Sequence, residues 1–217
     1  MSTASDGRSA AGREGLDRLT QTAPDGRSAA GREGLDRPPL HATASQTAGP
    51  YWHLIDFPAW ADLLRADGPN AGMTGERITL AGRITDGDGA PCPDAMVEIW
   101  QAGPEGSYDA AFQGFGRCAT DADGGFRFAT LKPGPVRGRG NAFQAPHVAI
   151  SIFARGLLKH LVTRLYFEGE ALNEQDPILS AVPPARRGTL VARPEGSGAW
   201  RLDIRLQGAG ETVFLEV

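Results

Sequence analysis

Short runs in which apolar and polar residues alternate recur along the chain from residue 77 onward. Alternation with a period of two is the pattern of a β-strand that buries one of its faces. The runs cover residues 77–84, 95–101, 126–130, 148–154, 161–167, 200–206 and 212–217. The sequence therefore predicts a domain built mainly of strands.

Turn residues separate these runs. The segment DGDG at 86–89 follows the first run, and TDADGG at 120–125 lies between Cys118 and the run at 126–130. Asp and Gly favour tight turns between antiparallel neighbours, so the second segment predicts a hairpin. Helix is predicted only at 62–66 and 184–192. We therefore predict an all-β fold, a β-sandwich of mainly antiparallel strands with few short helices.

The first forty or so residues follow a different pattern. The segment DGRSAAGREGLDR at 6–18 recurs unchanged at 25–37, and both copies are rich in Gly, Ser, Ala and charge. Two copies are too few to build a solenoid, and neither copy has an apolar periodicity that could bury a face. We expect a disordered N-terminal tail over 1–42 and one folded domain over 43–217. A functional peptide motif in the tail is the alternative.

Composition narrows the classes of function. A chain of 217 residues with a net charge of −4 shows no electrostatic footprint for nucleic acid or an anionic membrane. We expect no membrane-spanning helix, because no apolar run has the required length, and no signal peptide, because the charged–apolar–small pattern of one is absent. The two cysteines, Cys92 and Cys118, are too few for a disulfide scaffold and favour thiols in a cytoplasmic protein.

The histidines and tyrosines form no tight ligand spacing. His147 and His160 are thirteen residues apart, on or near neighbouring predicted strands, so they could approach each other. A metal site needs three or four converging ligands, whereas a single histidine on a half-buried strand is usually a hydrogen-bonded structural residue. The residues alone favour the structural interpretation. They contain no Ser/His/Asp order, phosphate loop or Cys-x-x-Cys motif.

Arg155 is the other candidate. It lies in FARG, at the end of an apolar run and just before Gly156, where the chain must turn. An arginine at such a strand end can bind a carboxylate through its planar fork. On the residues alone, a solvated arginine or a structural ion pair is the favoured interpretation.

Six motifs in order carry a resemblance to a known family. They are SQTAGPY at 45–51, VEIWQA at 97–102, GFGRCATDADGGF at 114–126, LKPGPV at 131–136, APHVAISIFARG at 145–156 and TRLYFEGE at 163–170. This series resembles the intradiol ring-cleavage dioxygenase family over about residues 43–217. The resemblance implies a β-sandwich in which iron is held between the sandwich and its loops.

The resemblance also implies a ligand set that can be compared position by position. Some members pair two homologous chains, of which one, the β chain, holds Fe(3+) through two tyrosines and two histidines. The family's R-P-A-H-I-H pattern falls on 144–149, where His147 is retained and the second histidine is Ala149. The tyrosine expected after K-P-G-P is Val136, and the segment carrying the other tyrosine ligand is shortened here. Tyr108 matches a tyrosine that is not a ligand. The implied chain is the partner that binds no metal, and the iron belongs to a homologous β subunit.

The resemblance assigns this chain to the substrate pocket rather than to catalysis. Arg155 matches the family's arginine that contacts the substrate, and Thr47, Gly49, Pro50 and Tyr51 match a turn that lines the pocket. The implied reaction is the cleavage of 3,4-dihydroxybenzoate by O₂ to 3-carboxy-cis,cis-muconate, in aromatic catabolism through the β-ketoadipate pathway. A cation near the pocket suits a substrate that carries a carboxylate.

Two alternatives remain open. The chain could be a stand-alone intradiol dioxygenase with an atypical site, or a β-sandwich binding module without enzymatic activity. The aromatic residues from Tyr51 to Trp60 could belong to a large interface between subunits or to an ordinary core.

Overall fold

The computed structural model describes residues 57–108, 111–138, 140 and 142–216. The duplicated tail, the predicted domain boundary at residue 43 and the turn formed by Thr47, Gly49, Pro50 and Tyr51 lie outside these residues.

Strands dominate the described part of the chain. They are β1 (Arg77–Thr85), β2 (Met96–Gln101), β3 (Phe115–Ala119), β4 (Gly125–Leu131), β5 (Val136–Arg137), β6 (Phe143–Gln144), β7 (His147–Phe153), β8 (Leu161–Phe167), β9 (Val191–Pro194), β10 (Ala199–Arg201) and β11 (Ile204–Arg205). The α-helices are α1 (Pro177–Ala181) and α2 (Pro184–Arg187), and short 3₁₀ turns span Pro58–Ala61, Ala171–Glu174 and Gly188–Leu190.

The strands form two layers that share one core. The first layer has the order β3-β2-β7-β8, and the second has the order β4-β1-β10-β9. Strand β9 joins them, because it is antiparallel to β10 and parallel to β8. Strands β10 and β11 also run parallel to β1, and the remaining pairs, β1–β4, β2–β3, β2–β7, β7–β8 and the β5–β6 hairpin, are antiparallel. The predicted sandwich of mainly antiparallel strands is confirmed.

Alternation along the strands decides which face is buried. In β7, Val148, Ile150 and Ile152 are almost fully buried and pack into the core between the layers. Because side chains alternate, His147 and Ala149 lie on the opposite, outward face of the first layer. The candidate chemistry of this chain is therefore found on the outside of the sandwich.

Close approach of two backbones explains one glycine in β1. A Cβ at Gly82 would lie 1.9 Å from the carbonyl oxygen of Leu202 and 2.6 Å from the ring of Phe126. Any side chain here would push β1 away from the segment between β10 and β11. The glycine thus allows the second layer to close.

Four sequence predictions were wrong in detail. Residues 120–125 do not form the turn of a hairpin, because β3 pairs with β2 in the first layer and β4 pairs with β1 in the second. The run at 200–206 is divided between β10 and β11, since the Asp203 carboxylate accepts the backbone N–H of Arg83 at 2.9 Å and interrupts the ladder. Residues 212–216 form no strand, although the Leu215 N–H donates to the Val162 carbonyl at 2.7 Å. Residues 62–66 form no helix, and the nearby 3₁₀ turn begins instead at Pro58.

The predicted helix at 184–192 is correct only in its first half. Helix α2 ends at Arg187, a 3₁₀ turn follows, and the chain enters β9 at Val191. Both cysteines are thiols. Within the described residues, no helix is long and apolar enough to cross a membrane.

Candidate functional site at His147 and Arg155

His147 is the first residue of β7 and is buried, although it lies on the outward face of the layer. Its Nδ1 is 2.7 Å from the carbonyl oxygen of Ala145, a distance at which the ring N–H donates to that oxygen. This tautomer leaves the Nε2 lone pair directed toward the hydroxyl of Tyr108, which is 3.5 Å away. His147 is thus held by hydrogen bonding inside the protein.

Tyr108 is positioned by a tightly locked loop. The Gly103 N–H donates to the Ser107 carbonyl at 2.9 Å, and the Gly134 N–H donates to the Gly103 carbonyl at 3.0 Å. Gly106 has φ +75°, and a Cβ there would lie 1.9 Å from the carbonyl oxygen of Pro135. The Tyr108 ring then stacks on Trp100, with 6.0 Å between ring centroids.

Asp176 organises the inner side of the site. This fully buried carboxylate accepts the Tyr166 hydroxyl at 2.9 Å and the Ala145 N–H at 2.9 Å. It also caps α1 by accepting the N–H groups of Ile178 and Leu179 at 2.9 and 2.8 Å. Four donors therefore satisfy a charge that burial would otherwise make costly.

A small apolar cluster covers these polar groups. Ala145, Tyr166, Leu179, Val182 and Leu190 are all buried in it. The segment that contains α1 thus packs over the end of the outward face where β7 begins. This packing explains why a residue on the outside of the sandwich is shielded from water.

Arg164 provides the positive charge of the site. It lies directly opposite Ala149 in the β7–β8 pairing, and its Nη1 donates to Oε1 of Gln144 at 2.7 Å. The same Nη1 is 3.5 Å from the Tyr166 hydroxyl. We call Tyr108, His147, Arg164, Tyr166 and Asp176 the polar cluster.

The electrostatics of the polar cluster follow from burial and from Arg164. Burial lowers the pKa of His147, and the Arg164 guanidinium lowers it further. Partial burial raises the pKa of Tyr108, whose side chain is otherwise exposed, while Arg164 acts in the opposite direction. Burial and the Asp176 carboxylate raise the pKa of Tyr166, again against Arg164. At neutral pH the histidine and both tyrosines are uncharged.

The residues around His147 do not fit an iron ion. Ala149 offers no lone pair, the raised pKa values of Tyr108 and Tyr166 disfavour the phenolate form that iron would bind, and the neighbouring Arg164 is a cation. The described part of the chain contains no group of three or more His, Cys, Asp or Glu side chains that could hold a metal. His160 does not join His147, because it stacks on Phe153 at the other end of β7, with 5.1 Å between ring centroids.

Arg155 lies apart from the polar cluster. It follows the end of β7, at least about 20 Å from His147 for a strand of this length. Its side chain is 79 % exposed, and its Nε lies 3.1 Å from Oδ2 of Asp94. The other four predicted pocket residues, Thr47, Gly49, Pro50 and Tyr51, are outside the described residues. A role of these five residues in a substrate pocket stays a prediction.

Sequence reasoning missed Asp176 and Arg164. Asp176 had a local signal, since an Asp followed by Pro is a common start of a helix. Arg164 had none, because alternation alone places it on an outward face and indicates a solvated side chain.

Comparison with known proteins agrees with the geometry. Residues 48–208 match the family described as Dioxygenase. The protocatechuate 3,4-dioxygenase alpha chain of Pseudomonas putida is 42% identical over 200 residues, which cover 82% of this chain and 97% of that protein. The chain belongs to the intradiol dioxygenase family.

This dioxygenase-family chain is also similar to a beta chain and to a solved dioxygenase domain. The protocatechuate 3,4-dioxygenase beta chain of Burkholderia cepacia is 37% identical over 171 residues, covering 70% of this chain and 73% of that protein. The solved dioxygenase domain of a carbohydrate-binding fusion protein from Streptomyces sp. SirexAA-E has a TM-score of 0.54 and 24% identity. That match covers 81% of this chain and 96% of the solved one, and it shows the shared fold.

Proposed function

We propose that this chain is the α subunit of a protocatechuate 3,4-dioxygenase and acts with a homologous β subunit that holds Fe(3+). The pair cleaves the bond between the two hydroxyl-bearing carbons of 3,4-dihydroxybenzoate. Both atoms of O₂ enter the product, 3-carboxy-cis,cis-muconate. The proposal places the reaction in the cytoplasm, in aromatic catabolism through the β-ketoadipate pathway.

One observation carries this proposal. Ala149, on the same face as His147, offers no iron donor, and Val136 stands where the family pattern has a tyrosine, in a chain that matches an alpha chain over 97% of that protein's length. A chain of this family without its own ligand set needs a partner that supplies the metal. Homologues named as alpha and beta chains both match, which supports a hetero-oligomer.

An exposed row of rings supports a partner surface. Phe57, Trp60, Phe115, Trp100 and Tyr108, which we call the aromatic strip, are connected by ring contacts and strand pairing. Four of these side chains are exposed, among them Trp100 at 46 %. Contiguous exposed aromatic area is typical of interfaces. We propose that the β subunit covers the aromatic strip.

Arg155 supports the choice of substrate class. It presents an exposed guanidinium whose ionic partner, Asp94, is half exposed as well. A surface pair of this kind contributes only about 0–1 kcal/mol, so a ligand carboxylate can displace Asp94 at little cost. In the proposal, Arg155 and the turn Thr47–Tyr51 line the pocket of the β subunit and orient the carboxylate of the substrate.

Measuring iron and turnover tests the proposal. The chain is purified alone and together with its β subunit, and iron content and oxygen uptake with 3,4-dihydroxybenzoate are measured for both. We expect stoichiometric iron and turnover only in the mixture. Stoichiometric iron with activity in the isolated chain would establish the stand-alone dioxygenase instead. Failure of the two chains to associate would favour the non-enzymatic module.

A further inference from the structure

Arg164 lies opposite Ala149, the position at which the family resemblance implies a histidine. In the β7–β8 pairing, His147 lies opposite Tyr166 and Ala149 lies opposite Arg164. All four side chains belong to the same outward face, because they are two residues apart on each strand. Directly opposed Cβ atoms are about 5 Å apart, so the methyl group of Ala149 leaves room for the guanidinium beside it.

The guanidinium is anchored within the site. Nη1 donates to Gln144 Oε1 at 2.7 Å and lies 3.5 Å from the Tyr166 hydroxyl. Gln144 in turn lies opposite Val136 in the β5–β6 hairpin. The cation therefore lies next to Gln144, Ala149 and Tyr166, and the strand pairing relates it to Val136.

The contacts of this cation are made to neutral oxygens. Arg164 is absent from the ion pairs found among the described residues. Its connection to the buried negative charge runs through Tyr166, whose hydroxyl donates to Asp176 at 2.9 Å. The same cation influences the pKa values of Tyr108, His147 and Tyr166. A single positive charge thus acts on three titratable side chains of the polar cluster, which lie on β7, on β8 and in the loop before β3.

We infer that the Arg164 guanidinium is a built-in cation that takes the place of a metal ion in the polar cluster and excludes metal from it. The inference concerns this chain's own residues and holds whatever partner completes the enzyme. It also predicts what happens when a second histidine is introduced into the polar cluster. Restoring a histidine at position 149 does not create a metal site while the guanidinium remains, because two cations would share one partly buried position.

Nickel(II) binding to a series of variants tests this inference. Ala149→His places an imidazole on the same face as His147, two residues away on β7. This variant is combined in turn with Arg164→Gln, Arg164→Met and Arg164→Lys. Each protein is prepared as the assembled complex, in which the β subunit keeps its iron, and nickel bound beyond that of the unaltered complex is measured by equilibrium dialysis.

The expected order follows from charge. A149H/R164Q and A149H/R164M bind nickel at least tenfold more tightly than A149H, whereas A149H/R164K stays within about threefold of A149H. The Met variant keeps side-chain bulk without charge, and the Lys variant keeps charge without the planar fork. Equal nickel affinity in A149H and A149H/R164Q overturns the inference. An A149H/R164K affinity equal to that of A149H/R164Q overturns it too.

A second measurement does not depend on the added histidine. The single variants Arg164→Met and Arg164→Lys are compared by thermal unfolding of the complex. We expect Arg164→Met to lower the melting temperature more than Arg164→Lys, because only the former removes the positive charge near Asp176. Equal losses would assign Arg164 a packing role and overturn the inference. Iron in the unaltered chain is a separate result that bears on the proposed function.

Discussion

Arg155 and Asp94 form an exposed ion pair at the end of the first layer, with 3.1 Å between Nε and Oδ2. Asp94 adopts a left-handed backbone conformation, with φ 58°, which Asp tolerates better than most residues. The pair lies just before β2 and just after β7, away from the polar cluster. The Arg155 guanidinium is thus held in place by Asp94 and remains exposed to solvent.

Replacing Arg155 with Ala in the assembled enzyme is expected to raise KM for 3,4-dihydroxybenzoate about tenfold. A charged hydrogen bond contributes about 1.5–3 kcal/mol, which sets this magnitude. Iron content stays normal, since the arginine holds no metal. Steady-state oxygen uptake and iron analysis check both statements. Arg193→Ala, at an exposed arginine of β9, is the matched control with unchanged KM. Unchanged kinetics in both variants would return Arg155 to the role of a surface ion pair.

Charge introduced into the aromatic strip is expected to separate the subunits. In Trp100→Glu a carboxylate must be desolvated if the β subunit covers this position. We expect the dissociation constant of the pair to rise at least 100-fold, as measured by analytical ultracentrifugation. Phe115→Glu should act in the same direction, because Phe115 lies opposite Trp100. Arg193→Glu introduces the same side chain elsewhere and should leave assembly intact. Normal assembly of all three variants would show that the strip lies outside the interface.

Most strands could be predicted because burial of one face leaves a period-two pattern in each. The period-two pattern wrongly predicted a strand at 212–217, because the hydrogen bonds of the described residues there do not form a ladder with a neighbouring strand. The Thr212 N–H donates to the Arg205 carbonyl at 3.0 Å, whereas the next N–H donates to the side chain of Thr189 at 3.2 Å. Such bonds to different partners depend on the assembled fold and leave no local signal.

The polar cluster was predictable only in part. His147 was found through its motif, but its burial depends on α1 packing over an outward face, which is a tertiary event. The role of Arg164 depends on strand register, because only the pairing with Ala149 brings it to the site. A one-residue shift in that register would turn the arginine toward the core.

His147→Gln is expected to weaken the pH dependence of the free energy of unfolding on the acid side of neutrality. The native pKa of His147 is lowered by burial and by Arg164, so near pH 6.5 the unfolded chain binds a proton that the native chain does not. Stability therefore falls as pH decreases below about 6.5 and is unaffected by this group above about pH 7.5. Urea unfolding of the purified protein between about pH 5 and pH 8 measures the slope.

The control for this prediction is His160→Gln. His160 is exposed, and it lies at the other end of β7. The variant should retain the acid slope of the unaltered protein. If His147→Gln retained the full slope as well, other groups would have to account for it.

Asp176→Ala is expected to lower the free energy of unfolding by at least about 3 kcal/mol. The change leaves three backbone N–H groups and the Tyr166 hydroxyl without their acceptor in a buried place, and it removes the cap of α1. Denaturant unfolding measures the loss. Asp121→Ala is matched, because Asp121 also accepts backbone N–H groups at 2.9 and 2.7 Å but is exposed. Its cost should be about 1 kcal/mol.

The short segment from Pro58 to Leu63 contacts both layers and links β3 to β4. The Leu63 N–H donates to the Ala129 carbonyl of β4 at 2.9 Å, and the Trp60 ring packs edge-on against Phe115 of β3. Strands β3 and β4 are the ends at which the sheet stops pairing. Uncovered strand edges recruit strands from other molecules. Removing the chain up to Leu63 would leave both layers folded but would expose the edges of β3 and β4. Such a shortened protein would therefore tend to associate edge to edge with other copies.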